Sequence, residues 1–167
     1  MAIKGQTRVV LGLEHTGADE ATLPYEKLPT INFDITDGTG SDQMDQVYVD
    51  QRTLAASATE DIDLAGGVED SFGNTLTFVD VRMICVKAAA ENTNDVLVGG
   101  AAANAFVNWV SNSSDVVVVK PGGVVFLYAP TNPGYAVTAG TGDLLKIANS
   151  AGSTSVTYDI YIGGASA

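Results

Sequence analysis

Short runs in which apolar and polar residues alternate follow one another along most of the chain. Residues 31–35 place Ile31, Phe33 and Ile35 on one face and polar side chains on the other, and residues 156–162 alternate in the same way. Such runs, separated by turns rich in Gly, Pro, Asn and Asp, are typical of half-buried β-strands. No segment has the period of an amphipathic helix. The pattern predicts an all-β protein with an antiparallel β-sandwich or jelly-roll fold.

Two apolar runs, residues 115–119 and 124–128, flank the turn sequence Lys-Pro-Gly-Gly. Pro121 presets φ for the first central position of a type II turn, and Gly122 tolerates the positive φ of the second. We therefore expect a β-hairpin over residues 115–128. Both arms are too apolar to alternate cleanly, so we expect one face to line the core and the other face, or the turn, to meet another subunit.

The longest strand candidate, residues 72–90, changes the parity of its apolar positions midway. Leu76 and Phe78 share one face. The next apolar positions form a second set opposite Asp80 and Arg82, namely Val79, Val81, Met83 and Cys85. A one-residue change of parity predicts a β-bulge or a crossing between sheets near Phe78 and Val79.

The first 30 residues differ from the rest of the chain. They are acidic, have no regular period and are interrupted by Pro24 and Pro29. Segments of this kind become ordered only when something holds them. We therefore predict an extended N-terminal arm, residues 1–30, and one β-sandwich domain, residues 31–167. The apolar runs are too short for a signal peptide or a membrane span, which predicts synthesis in the cytoplasm and no membrane partner.

The 20 acidic and 8 basic side chains give a net charge of −12, which argues against nucleic acid as a partner. Residues 1–95 hold 17 of the acidic and six of the basic side chains, so residues 96–167 have a net charge of only −1. A nearly neutral half predicts coverage by other subunits; the alternative is a surface rich in Ser, Thr and Gly that is soluble without charge. A single cysteine, Cys85, within an apolar run, is consistent with a reducing compartment and with burial as an inert thiol.

Several residues could carry chemistry, but each has a simpler interpretation. His15 has no neighbouring nucleophile of defined geometry and is better explained as an exposed or interface histidine. Asp61 and Asp63 share a strand face, which a solvated polar surface explains. A further set surrounds a Gly-rich turn and could cage Ca²⁺, although its spacing does not match an EF-hand and a solvated acidic loop is the alternative: Asp34, Asp37, Asp42 and Asp45. We therefore predict no enzymatic activity and no cofactor.

Aromatic residues could stack on sugars or serve as anchors in the core and at interfaces, and the second role is the commoner one. We predict that subunit or capsid contacts involve Leu23 and Tyr25 in the arm, two aromatic residues of the neutral half, and the turn with the strand after it. The complete set is Leu23, Tyr25, Phe106, Trp109, Lys120, Pro121 and Tyr128.

The last two-thirds of the chain resembles small structural proteins of tailed bacteriophages, most closely the capsid decoration, or cement, proteins. The stretches that carry the resemblance are residues 52–64, 79–106, 119–137 and 138–167. The resemblance implies a β-sandwich or jelly-roll body without catalytic residues, and binding to the outer face of the major capsid protein lattice. It also implies self-association, with a trimer preferred and a dimer possible, and location on the outer capsid surface of the virion. A tail, connector or fibre protein and a carbohydrate-binding β-sandwich module are the alternatives.

Overall fold

The computed structural model describes the backbone of residues 5–9, 14–16, 22–24 and 31–167, and side chains from residue 34 onward. Within these ranges it contains fifteen β-strands and no helix, and hence no helix that could cross a membrane. The strands before residue 40 are β1 (Gly5–Val9), β2 (Glu14–Thr16), β3 (Thr22–Pro24) and β4 (Ile31–Ile35). The others are β5 (Gln46–Leu54), β6 (Thr59–Asp63), β7 (Ala65–Glu69), β8 (Thr75–Thr77), β9 (Asp80–Ala88), β10 (Val96–Gly99), β11 (Val116–Val119), β12 (Val124–Tyr128), β13 (Tyr135–Ala136), β14 (Leu144–Asn149) and β15 (Val156–Ala165).

Nine of these strands form two sheets, and eight of the nine are wound as a jelly roll. One sheet has the order β12-β9-β15-β5, with the short β13 also paired to β9, and the other has the order β11-β10-β14-β6. All the pairings within the two sheets are antiparallel. The connections β5–β6, β9–β10, β11–β12 and β14–β15 each pass from one sheet to the other, which is the winding of a jelly roll. The predicted all-β antiparallel sandwich is confirmed.

The core lies between the two sheets and is built from alternate residues of each strand. Tyr158, Ile160 and Ile162 of β15 face it from one sheet, and Leu145 and Ile147 of β14 face it from the other. All five are fully or almost fully buried. β15 and β14 lie inside their sheets, with a paired strand on each side.

The parity change predicted in the longest strand candidate coincides with a passage between two sheets, and a bulge follows it. The candidate is divided into β8 and β9, and Val79 between them is exposed. The register of β9 with β15 shifts between Gly163 and Gly164, so Arg82 has no partner in that ladder. Val81 therefore faces the core, whereas Met83 lies half-buried on the outer face. β8 pairs with β7 in a separate sheet, so the predicted crossing between sheets near Phe78 and Val79 is confirmed, and the bulge at Arg82 is a second irregularity that the sequence did not indicate.

The predicted hairpin over residues 115–128 was also wrong. β11 and β12 belong to different sheets, so they are not a hydrogen-bonded pair but a connection between the sheets. The predicted turn itself is present: Gly122 has a φ of 73° and the Gly123 N–H donates to the Lys120 carbonyl at 2.7 Å. A type II turn can thus join strands of facing sheets as well as neighbours in one sheet.

The predicted strand over residues 31–35 is confirmed as β4, which pairs with β1. β1 is part of the predicted arm, as are β2 and β3, which pair with each other. The remainder of the predicted arm lies outside the described residues.

Candidate interaction surface

The sandwich has two open sides, each formed by the edge strands of its two sheets. On one side, the edge strands are β11 of one sheet and β12 of the other sheet. On the other side, they are β6 and β5. We call the first the apolar edge, residues 116–128, and the second the charged edge, residues 46–54 and 59–63. Edge strands expose backbone groups that can pair with another chain, so the side chains on each edge decide whether pairing is possible.

The apolar edge exposes valine side chains. Val116 is 43% exposed, Val118 50% and Val124 61%. Val119 faces the core, and Val125 and Leu127 of the other sheet pack against the same core. The only charged side chain from residue 116 to residue 128 is that of Lys120, whose Nζ lies 2.7 Å from Oδ2 of Asp95. The apolar edge is therefore locally neutral in a chain of net charge −12.

The charged edge has a network of ionic and phenolic groups. The Nε atom of Arg52 donates to Oε2 of Glu60 at 2.6 Å, and its Nη1 atom donates to Oδ2 of Asp50 at 3.0 Å. The hydroxyl of Tyr48 donates to the same Asp50 oxygen at 3.1 Å, and the hydroxyl of Tyr158 donates to Glu60. This network joins the edge strands of both sheets through side chains, since Arg52 is on β5 and Glu60 on β6.

The surroundings of the network fix its protonation. Burial, followed by the hydrogen bond to Glu60, raises the pKa of Tyr158 far above its usual range, so this phenol stays neutral. The hydrogen bond to Glu60 is the main cause that raises the pKa of Arg52, so the guanidinium stays charged. Arg52 thus keeps its positive charge on the charged edge, and charged groups on an edge strand oppose pairing with another chain.

Two shallow cavities lie beside β5. A polar cavity of about 310 Å³ is lined by Asp50, Arg52 and Glu69, among others. A smaller cavity of about 130 Å³ is lined by Val47, Val49 and the largely exposed Phe72. In the polar cavity the positive charge of Arg52 is already bound by Asp50 and Glu60, so the cavity offers no free cation to an anionic ligand.

A buried arginine holds the loop that leads from β4 into the sandwich. The side chain of Arg82 is 1% exposed and its Nε atom donates to Oδ1 of Asp80 at 2.7 Å. Its Nη atoms donate to the carbonyl oxygens of Thr39 and Gln43, each at 2.6 Å, and also to that of Gly40. The sequence placed Asp80 and Arg82 opposite an apolar strand face, and the bulge at Arg82 directs its side chain into the loop.

The same contacts bear on the calcium alternative for the acidic loop. The carbonyl oxygens that could bind a cation already accept hydrogen bonds from Arg82. Asp45 accepts hydrogen bonds from the backbone and hydroxyl of Ser166. Across residues 34–167 no three side chains of His, Cys, Asp or Glu are placed to hold a metal ion. The guanidinium thus occupies the carbonyl oxygens of residues 39, 40 and 43 within the loop that carries the four aspartates.

The structure divides the seven predicted contact residues into three groups. Lys120, exposed, and Pro121, half-buried, lie in the turn of the apolar edge, and Tyr128 lies half-buried at the end of β12. Phe106 is 3% exposed and belongs to the core, and Trp109 packs against that core while its indole donates to the Phe106 carbonyl at 2.9 Å. Phe106 thus contributes to the core, and Trp109 is partly buried beside it. Leu23 lies on β3, and Tyr25 lies outside the described residues.

The other sequence candidates remain separate from one another. Asp61 is exposed on the outer face of β6, and Oδ1 of Asp63 accepts a hydrogen bond from the Ala65 N–H at 2.8 Å. His15 lies on β2. Cys85 was expected to be buried in the core but is half-buried on the outer face of β9, where partial burial raises the pKa of its thiol. Val116, Val118 and Val124 are not among the seven predicted contact residues, although one face of their segment was expected to meet another subunit, and the structure shows their side chains exposed on two edge strands.

Comparisons with known proteins give no relative for this chain: no family model matches it, and no significant match is found among curated proteins or among solved structures.

Proposed function

We propose that this chain is a non-enzymatic capsid decoration protein of a tailed bacteriophage, made in the host cytoplasm and bound to the outer face of the major capsid protein lattice, where it stabilises the head. The observation that carries the proposal is the contrast between a neutral, valine-rich edge and an otherwise acidic jelly-roll body. The resemblance of residues 51–167 to phage structural proteins supports the same conclusion, and jelly rolls are used by viral capsid proteins.

The physical properties of the described part fit this role. A decoration protein must stay folded when the capsid shell is under mechanical load. The two sheets here bury a continuous apolar core, which stabilises the fold. It must also avoid released genome, and a net charge of −12 repels phosphate groups. A protein that assembles with copies of itself needs a neutral surface for that contact, which the apolar edge supplies.

The test is binding to capsid shells from which the protein has been removed. We expect the purified chain to co-sediment with such shells, to raise the temperature at which they open, and to appear as outer density in electron microscopy maps. Binding only to tails or connectors would instead support the alternative of a tail protein, and absence from purified virions would reject both assignments.

A shortened chain tests the role predicted for the N-terminal arm. Removal of residues 1–25 should abolish shell binding while circular dichroism still reports a folded β-protein. Full shell binding by the shortened chain would contradict the arm assignment and leave the decoration role itself in place.

A further inference from the structure

Within β11, the apolar edge has no charged side chain, proline or bulge that would keep the strand from pairing. Natural edge strands are protected by charged side chains, proline, bulges or a covering segment. β11 consists of four valines in regular register with β10, from Val96 opposite Val119 to Gly99 opposite Val116. The ladder has no bulge and the strand has no charge or proline. An unprotected apolar edge of this kind is a site for strand addition.

The backbone of β11 can accept such a strand. β11 is hydrogen-bonded along one side, to β10, and no backbone hydrogen bond joins its other side to any residue in the described ranges. In an antiparallel ladder every second residue directs its N–H and C=O away from the paired strand. Two of the four residues of β11 thus present both groups outward, beside the exposed side chains of Val116 and Val118.

The charge distribution identifies the partner. Two copies of a chain with a net charge of −12 repel each other. This repulsion is weakest when the two surfaces that meet are neutral. The apolar edge is neutral because its one cation, Lys120, is paired with Asp95. A basic partner would be attracted to the charged edge, where β6 has the sequence Thr-Glu-Asp-Ile-Asp. A neutral edge in an acidic protein therefore fits a second copy best.

We propose that a second copy of this chain docks on the apolar edge, with β11 paired antiparallel to its counterpart about a two-fold axis. The two four-stranded sheets then form one continuous sheet across the dimer. Antiparallel pairing of a strand with itself is self-complementary and closes after two copies, so the product is a dimer and not the trimer that the sequence favoured. This inference rests on the self-association included in the proposed function and deepens it by naming the surface.

A matched pair of lysine variants tests the proposal on the full chain without any shell. Val118→Lys puts a charge on the outer side of β11, and Thr59→Lys puts one on β6, at the opposite edge and also exposed. We expect the wild-type protein and Thr59→Lys to be dimers by analytical ultracentrifugation. Because the two-fold axis brings both new lysines together, Val118→Lys should raise the dissociation constant of the dimer at least about 100-fold.

Cross-linking gives a second measurement that does not depend on how well the lysine variant folds. In a Cys85→Ser background, a cysteine introduced at position 116, 117 or 118 should form a disulfide with its own counterpart, because a two-fold axis brings a residue close to itself. A cysteine at Thr59 should not. A monomeric wild-type protein at high concentration, a Val118→Lys dimer of unchanged affinity, or no self-disulfide at any of the three positions would overturn the proposal.

The shell experiment separates this inference from the proposed function. Dimerisation is measured without shells, and shell binding is measured with the wild-type protein. A dimer that does not bind shells contradicts the decoration role alone, and a monomer that binds shells contradicts the two-fold pairing alone.

Discussion

The two open sides of this jelly roll differ in the side chains that accompany their exposed strand edges. The charged edge has ionised groups on both of its strands and links β5 to β6 through Arg52 and Glu60. The apolar edge exposes Val116, Val118 and Val124, and its only ion pair is the exposed one between Lys120 and Asp95. Since edge charges act against pairing with other chains, the difference indicates that one side is closed to strand addition and the other is open.

The contrast extends to the arginine residues associated with each side. Arg82 lies on β9, next to β12, and is fully buried with Asp80. Arg52 lies on β5, and its side chain is 41% exposed. A buried ion pair cannot lose one partner without leaving an uncompensated charge, whereas a partly exposed carboxylate can turn to water. The two sides should therefore respond differently to loss of an arginine.

The largest expected effect is that of Arg82→Met. The substitution leaves Asp80 buried without its partner and removes the donors to the loop carbonyls of residues 39, 40 and 43. We expect the free energy of unfolding to fall by about 3–5 kcal/mol, measured by urea denaturation. The matched variant Arg52→Met should cost about 1 kcal/mol or less because Arg52 is half exposed. Equal losses in the two variants would contradict the contrast in burial.

A smaller loss of stability is expected at high pH, and its cause is Tyr158, which takes part in the network of the charged edge. The pKa of Tyr158 is raised in the folded protein, whereas in the unfolded chain a tyrosine ionises near pH 10. Above about pH 10 the unfolded state thus binds fewer protons than the folded state, and stability falls by up to about 1.4 kcal/mol per pH unit for this group.

The Tyr158→Phe variant should lose stability less steeply above pH 10 than the wild-type protein, as followed by urea denaturation at a series of pH values. Tyr161→Phe is the control, because Tyr161 lies on the outer face and is exposed. An unchanged slope in Tyr158→Phe would show that this phenol does not control the alkaline response.

The smallest effect on stability is expected from Lys120→Ala at the apolar edge. The ion pair with Asp95 is largely exposed on the lysine side, so the free energy of unfolding should change by less than about 0.5 kcal/mol. The variant nevertheless leaves the carboxylate of Asp95 without its lysine partner, so each copy has one negative charge beside the apolar edge. The dimer should weaken at low ionic strength and recover at high salt, where repulsion is screened. A dimer affinity independent of salt in this variant would contradict the importance of a neutral edge.

The sequence by itself determined the fold class and much of the local structure. The strand over residues 31–35, the alternation at β15 and the Pro121–Gly122 turn were predicted correctly, because side-chain period and turn chemistry act over a few residues. The burial of Phe106 in the core could not be read from the sequence, since an aromatic residue has the same local pattern in a core and on a surface.

Only the tertiary structure decided which strands are neighbours. It placed β11 and β12 in different sheets, where each is an edge, and so converted an apparently buried hairpin into an exposed apolar surface. It also directed Arg82 into the loop of residues 39–43 through a bulge. Both features depend on contacts between residues far apart in the chain, and the free energy of such contacts is set by packing of the whole sandwich and not by any local run of residues.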